Sequence, residues 1–264
     1  MKIGFSFLSL KTFSVNRAIS ITKKLGGNTL ELFGDLILFY NGRFCEKLES
    51  IKDFAIKNNV FLTMHLPYID INLASFNDEI WRESVESILK AIEYGGKAGV
   101  KRAVLHAGSV PLKHFVLTFL AQRRLKKSLN IILEKAEEYH MEICIENTYF
   151  DDNDVFSSVD HFYKFVRGFG GKLKVCFDFG HANIYQKGID YSLNLLKPFI
   201  THIHIHDNHG EKDEHLSIGK GNISFGKYMD FLRTFDGTII LEINSLKDSK
   251  EDLKKSIEII KGEA

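Results

Sequence analysis

Residues 201–207 read Thr201-His202-Ile203-His204-Ile205-His206-Asp207. The period-two alternation predicts a strand with His202, His204 and His206 on one face and Ile203 and Ile205 on the other. Three imidazoles turned toward a protein interior have little structural purpose unless they meet a metal or an anion. Working outward, five further strand-like runs deliver a metal-binding side chain. Val60–Met64 runs into His65 and Ala103–Leu105 into His106. Ile143–Ile145 runs into Glu146 and Val175–Phe177 into Asp178, with His181 three residues on. Ile239–Leu241 delivers Glu242.

Eight apolar runs alternate with stretches of helical period from end to end. The strands are expected at Lys2–Ser6, Thr29–Phe33, Val60–His65, Arg102–His106, Glu142–Glu146, Lys174–Asp178, Thr201–His206 and Thr238–Ile243. Helices are expected from Ser14, an N-cap, to Leu25, then at Glu46–Asn58, Asp78–Ala98, Phe115–His140, Ser158–Arg167, Tyr191–Leu196, Ser224–Phe235 and Lys250–Lys261, the fourth broken near its middle. Such alternation describes a parallel sheet, either a closed ring or an open doubly wound sheet. An open sheet gathers its ligands near one switch point. Here candidate ligands hang from strands three to eight, which only a closed ring brings together. The expected fold is therefore an α/β protein, a (β/α)8 TIM barrel, in a single domain over residues 1–264.

Composition narrows the function. At 264 residues with 44% apolar side chains, 22 of them Phe, the chain can bury a large core. A net charge of +1 gives no general reason to expect nucleic acid or an anionic membrane. No apolar run is long enough to span a bilayer, no secretion signal opens the sequence, and the three cysteines lack metal-type spacing. Cys144 and Cys176 read as core thiols, and the expected location is the cytoplasm.

Taken singly, the candidate ligands are ambiguous. His65 or His106 alone fits a hydrogen-bonded pocket histidine, and Glu146 alone fits an ion pair with Lys or Arg. Asp178-x-x-His181 spans a glycine-containing turn, and Asp213-Glu214-His215 offers another carboxylate and imidazole two residues apart. Jointly they make nine: His65, His106, Glu146, Asp178, His181, His204, Asp213, His215 and Glu242. One zinc takes about four ligands and a hard octahedral ion about six. Nine imply more than one ion, with Glu146 or Glu242 bridging. Five imidazoles and four carboxylates favour zinc or manganese over calcium.

At these residues the chain resembles the xylose isomerase-like barrel superfamily, which holds sugar isomerases and epimerases and endonuclease IV, the apurinic/apyrimidinic-site nuclease. The resemblance covers nearly the whole sequence. It is carried by His65-Leu66-Pro67-Tyr68, Asn72-Leu73-Ala74-Ser75, His106-Ala107-Gly108-Ser109, Glu146-Asn147-Thr148 and Asp178-x-x-His181, and by His204-x-x-Asp207 leading to Asp213-x-His215-Leu216-Ser217-Ile218-Gly219-x-Gly221. It implies that the nine positions hold up to three divalent ions, as in endonuclease IV. It also implies that Glu146, Asp178, His204 and Glu242 match the single-metal set of the ketose 3-epimerases, in which the two glutamates move the proton. There are departures from endonuclease IV: Phe179-Gly180 within the Asp-x-x-His motif, one extra residue between Tyr68 and Asn72, a short Asn208–Lys212 loop, and Asp151-Asp152-Asn153-Asp154 where that family has a glycine-rich loop.

Two chemistries fit. A small sugar or sugar phosphate would be held by metal while Glu146 and Glu242 remove and return a carbon-bound proton. Alternatively, a phosphodiester at an abasic site would be hydrolysed. The apolar stretch Gly34–Tyr40, with its single acid, and the three aspartates of 151–154 disfavour a duplex at the mouth, so isomerase or epimerase is the expectation and DNA the lesser one. Tyr68 is expected to stack on the substrate, and Lys220, between two glycines, to meet an anion. Arg123-Arg124-Leu125-Lys126-Lys127 reads as a solvated helix face. No membrane partner is expected, and a homodimer is expected from the resemblance alone.

Overall fold

The computed structural model describes residues 1–39, 48–112, 114–244 and 248–263. Eight parallel strands close into a barrel in sequence order: β1 (Lys2–Ser6), β2 (Thr29–Phe33), β3 (Phe61–His65), β4 (Arg102–Leu105), β5 (Glu142–Glu146), β6 (Lys174–Asp178), β7 (Ile200–Ile205) and β8 (Thr238–Leu241). β1 pairs with β8, so no edge remains. The register sets Asp178 beside His204 and His202 beside Thr238. β4 and β8 stop short of their expected ends, which leaves His106 and Glu242 just past the ladder, on the rim.

The surrounding helices are α1 (Val15–Lys24), α2 (Gly34–Phe39), α3 (Leu48–Lys57), α4 (Asp78–Lys97), α5 (Phe115–Glu138), α6 (Val159–Arg167), α7 (Phe179–Ile184), α8 (Gly188–Leu196), α9 (Met229–Thr234) and α10 (Lys250–Lys261). Ser14 caps α1 as expected, accepting from the Arg17 amide at 3.3 Å. Three differences have local causes. α5 runs unbroken for 24 residues because its buried stripe, from Thr118 through Leu125 and Leu129 to Ala136, keeps helical spacing throughout. The stretch beginning at Gly34 is helical through Phe39 rather than a loop, while Tyr40, Cys45 and the expected first residues of the second helix, Glu46 and Lys47, lie outside the described residues. The residues after Asp178 form α7, because the Asp178 carboxylate caps it by accepting from the His181 amide at 2.7 Å.

The main apolar core lies between sheet and helices, with Ile3, Phe5, Ile88, Phe162 and Phe177 almost wholly buried. A small second cluster, Val104, Cys144 and Cys176, belongs by strand alternation to the barrel interior. Both cysteines are buried thiols, as expected. Ile240 shares this face, and much of the rest of the interior is polar, with Glu31, Thr63, His202, His204 and Thr238 nearly free of solvent contact. Among the described residues, no helix is long and apolar enough to cross a membrane.

Closure brings β1 very close to β2. A Cβ on Gly4 would sit 1.6 Å from the Thr29 carbonyl oxygen, backbone that no rotamer change can move. Gly4→Ala is therefore expected to cost at least the roughly 1–3 kcal/mol of an overpacked core. Thermal or denaturant unfolding would read this as a large fall in midpoint, and a wild-type midpoint would show that the strands are not so tightly apposed.

Candidate metal centre

Six strands and their immediate ends, α7 and one loop bring the nine expected ligands to the C-terminal mouth of the barrel, where the βα connections of such folds assemble their sites. Glu146, the last residue of β5, lies at the centre and is only 2% exposed. Its Oε2 lies 3.0 Å from His106 Nε2 and 3.5 Å from His65 Nε2. Its Oε1 lies 3.2 Å from His204 Nδ1 and 3.4 Å from His181 Nδ1. One oxygen thus faces the imidazoles of His65 and His106 and the other faces those of His204 and His181.

Three donor sets follow. His65, His106 and Glu146 form the first; Glu146, Asp178, His204 and Glu242 form the second, with the ligand atoms of each set within 4.8 Å of one another. The third gathers on Asp213, whose Oδ2 lies 3.3 Å from His181 Nε2 and 3.2 Å from His215 Nε2. Glu242 Oε2 lies 3.4 Å from His204 Nδ1 and is the more open of the two glutamates, with a side chain 15% exposed.

The electrostatics follow from this crowding. Burial alone would raise the Glu146 carboxyl, but His204 and His106 outweigh it and hold it well below the usual carboxylate range. Asp178 and Asp213 are likewise driven up by burial and brought down further by their imidazoles. Burial pulls the His65 imidazole down, yet its hydrogen bond and attraction to Glu146 push it up to about 9; Asp213 does the same for His215, also to about 9. Clustered carboxylates that stay ionised only beside positive charge are the groups a divalent cation serves. A more direct fit is that Asp178 Oδ2 and both His206 ring nitrogens are buried without a hydrogen-bond partner among the described residues. The donor chemistry fits divalent metal.

Outer contacts orient the ligands. His65 Nδ1 meets the Leu66 carbonyl at 2.9 Å, His181 Nδ1 the Asn147 carbonyl at 2.9 Å and His215 Nδ1 the Glu242 carbonyl at 2.7 Å. Each contact directs the other ring nitrogen toward the site. His204 Nε2 lies 3.0 Å from Glu31 Oε1, which leaves Nδ1 for Glu146 and Glu242. Glu31 escaped the sequence reading because a single inward glutamate in Thr29–Phe33 carries no motif. It also corrects the reading of His202, whose Nε2 lies 3.0 Å from Glu31 Oε2 and whose Nδ1 meets Thr238 Oγ1. The anion that His202 answers is a side chain of the protein itself.

Tyr68 lines the mouth, its ring 5.2 Å from His106 and nearly parallel to it. Burial pushes its hydroxyl up to about 12. Lys220 is not brought to the ligands: its ammonium is held by Asp248 and by Asp252 at 3.0 Å, and it does not line the cavity. The acid of the α2 stretch, Asp35, accepts from the amides of Tyr68 and Ile69 at 3.2 and 3.1 Å, so it braces the loop after β3 rather than facing a ligand. Of the three loop aspartates, Asp154 turns inward, accepting from Thr148 Oγ1 and the Asp151 amide, both at 2.8 Å. In the basic run of α5, Arg124 pairs with Asp78 and lies over Trp81, as Lys127 also does. A cavity of about 440 Å³ opens above the ligands, walled opposite them by Leu8, Phe33 and Ile243.

A family model described as xylose isomerase-like TIM barrel matches residues 19–262. An uncharacterized protein of Methanocaldococcus jannaschii is 35% identical over 199 residues, 75% of this chain and 76% of that one. A probable endonuclease 4 of Sulfurihydrogenibium sp. is 26% identical over 215 residues, 71% of this chain and 73% of the relative. The crystal structure of a D-tagatose 3-epimerase-like protein superposes with a TM-score of 0.80 at 28% identity, covering 100% of this chain and 99% of the other. With 244 of its 264 residues inside the family match, the chain belongs to the xylose isomerase-like TIM barrel family.

Proposed function

We propose that this protein is a divalent-metal enzyme, using zinc or manganese, that isomerises or epimerises a small sugar or sugar phosphate. The observation that carries this reading is the pairing of Glu146 and Glu242 around His204 and Asp178, beneath a cavity of small-molecule size with one apolar wall. The whole-length likeness to a D-tagatose 3-epimerase-like protein supports it.

Metal bound there would act as a Lewis acid toward neighbouring substrate oxygens, acidifying an adjacent carbon-bound proton. The chain's own residues do the rest. Glu242, open to the cavity, takes a proton from carbon on its carboxylate; Glu146, taking up a proton transiently, delivers one to carbon, and exchange with solvent returns both glutamates to their starting forms. Asp178 and His204 fix the lower side of the substrate's seat. Tyr68 and Phe33 offer aromatic surface to the sugar's C–H face, and Leu8 and Ile243 help exclude water.

A second reading, cleavage of DNA at apurinic/apyrimidinic sites, is favoured by one observation. The His181, Asp213 and His215 set is in place although proton transfer at carbon does not need it, and relatives at 26% identity are named probable endonuclease 4. Against it stand the apolar wall and the commitment of Lys220 and Arg124 to aspartates rather than to a groove that would neutralise phosphates.

Glu146→Gln and Glu242→Gln are each expected to lower solvent-deuterium incorporation into ketoses by roughly the 10²–10⁴-fold of a lost acid or base. Either variant retaining wild-type exchange would remove that glutamate from the reaction. His106→Ala separates the two readings: exchange into a ketose should persist within about tenfold, since all four donors of the Glu146, Asp178, His204 and Glu242 set remain although Glu146 loses one imidazole neighbour. If instead the metal-loaded wild type nicks an abasic-site duplex and His106→Ala abolishes the nick, the phosphodiesterase reading replaces the isomerase.

A further inference from the structure

His206 lies just past the end of β7 and is not among the nine ligands. Its side chain has no solvent exposure. Nε2 lies 3.3 Å from Asp178 Oδ1 and 3.4 Å from Asp213 Oδ1, yet neither ring nitrogen makes a hydrogen bond among the described residues. A buried polar group left in that state costs roughly 1–3 kcal/mol. Its donor atoms fall within 4.8 Å of Asp178 and His181 in one group, and of Asp213 and His215 in another. The ring stacks on His215 at 4.0 Å with 22° between the planes and meets His181 edge-on.

Room for this ring is made by Gly180. A Cβ there would lie 1.9 Å from His206 Cε1 and 2.3 Å from Nε2, so any residue but glycine at position 180 would displace the imidazole. The consequence gathers at Asp213. Nε2 atoms of three imidazoles approach its carboxylate: His181 at 3.3 Å, His215 at 3.2 Å and His206 at 3.4 Å.

We propose that His206 is itself a metal ligand, and that His181, His206, Asp213 and His215 together would enclose a divalent ion at the rim in four protein donors. This rests on the multinuclear reading above. Three imidazoles and one carboxylate suit zinc, and four protein ligands make a closed centre of the structural kind, whereas catalytic centres keep one position open. A rim ion so enclosed has no free position for a phosphodiester oxygen. It braces the loop carrying Asp213 and His215, and the chemistry is left to Glu146, Glu242 and the ions they touch.

The test uses the full-length protein, stripped by chelator and reloaded with Zn²⁺ or Co²⁺, with stoichiometry and affinity read by calorimetry and elemental analysis. Wild type is expected to take up three ions. His206→Ala should weaken one of them by more than the 10–100-fold that loss of an outer-shell partner costs. Gly180→Ala, which keeps every ligand but crowds the ring, should weaken the same ion, and circular dichroism checks that both variants fold. His209→Ala, at an exposed histidine paired with Glu214, should load like wild type. A wild type holding two ions, one of which His206→Ala loses, would retain His206 as a ligand and discard only the count of three. Equal loading of wild type and both variants, or a wild type that binds no metal, would overturn the proposal.

Discussion

The Glu146 carboxylate, buried at the mouth of the barrel with imidazoles from β3, the β4 end, α7 and β7 around it, is the constraint on which the rest depends. Removing a carboxylate from water costs several kcal/mol unless opposite charge replaces the lost hydration. Here imidazoles approach it from four segments, which is possible only because the strands close into a ring.

The barrel interior departs from the usual stack of branched apolar layers for the same reason. Beneath the ligands, Glu31 joins His204 to His202 and accepts from Thr63 Oγ1 at 3.0 Å. Desolvation dominates His202 and pulls it down to about 4, despite the attraction of Glu31. Below it Thr238 receives Arg102 Nη1 at 2.7 Å, and Arg102 Nε bonds Glu142 at 2.6 Å. A connected polar column thus runs from the floor to His204. Its members are hydrogen-bonded or ion-paired to one another, and this rigidity lets a ligand hold one orientation.

Phe33 ends β2, Leu8 follows β1 and Ile243 follows β8, so apolar side chains join Ser6, Ser9 and Asn244 in completing the mouth. Asp35 ties the start of α2 to the loop after β3, and thereby holds Tyr68 over His106. The pocket therefore sets the clustered imidazoles and carboxylates beside apolar side chains, the arrangement on which the proposed small-sugar reading rests.

The fold and most of the site were legible from short-range pattern. Period-two alternation fixed which face of Thr201–Asp207 points inward, and residue type at strand ends marked His65, His106, Glu146, Asp178 and Glu242, because both are properties of a few consecutive residues. The pairing of those faces was not legible. Glu31 looks like any strand glutamate until closure sets it against residues more than 170 positions away. Lys220 reads as a free cation between glycines until Asp248 and Asp252 take its ammonium. His206 reads as an inward histidine, but its standing as a donor depends on the space left by Gly180 and on the approach of Asp213, neither of which any local spacing encodes. The sequence by itself determined which side chains would face the interior. Tertiary structure alone decided which of them meet, because ring closure sets distances between segments that share no local period.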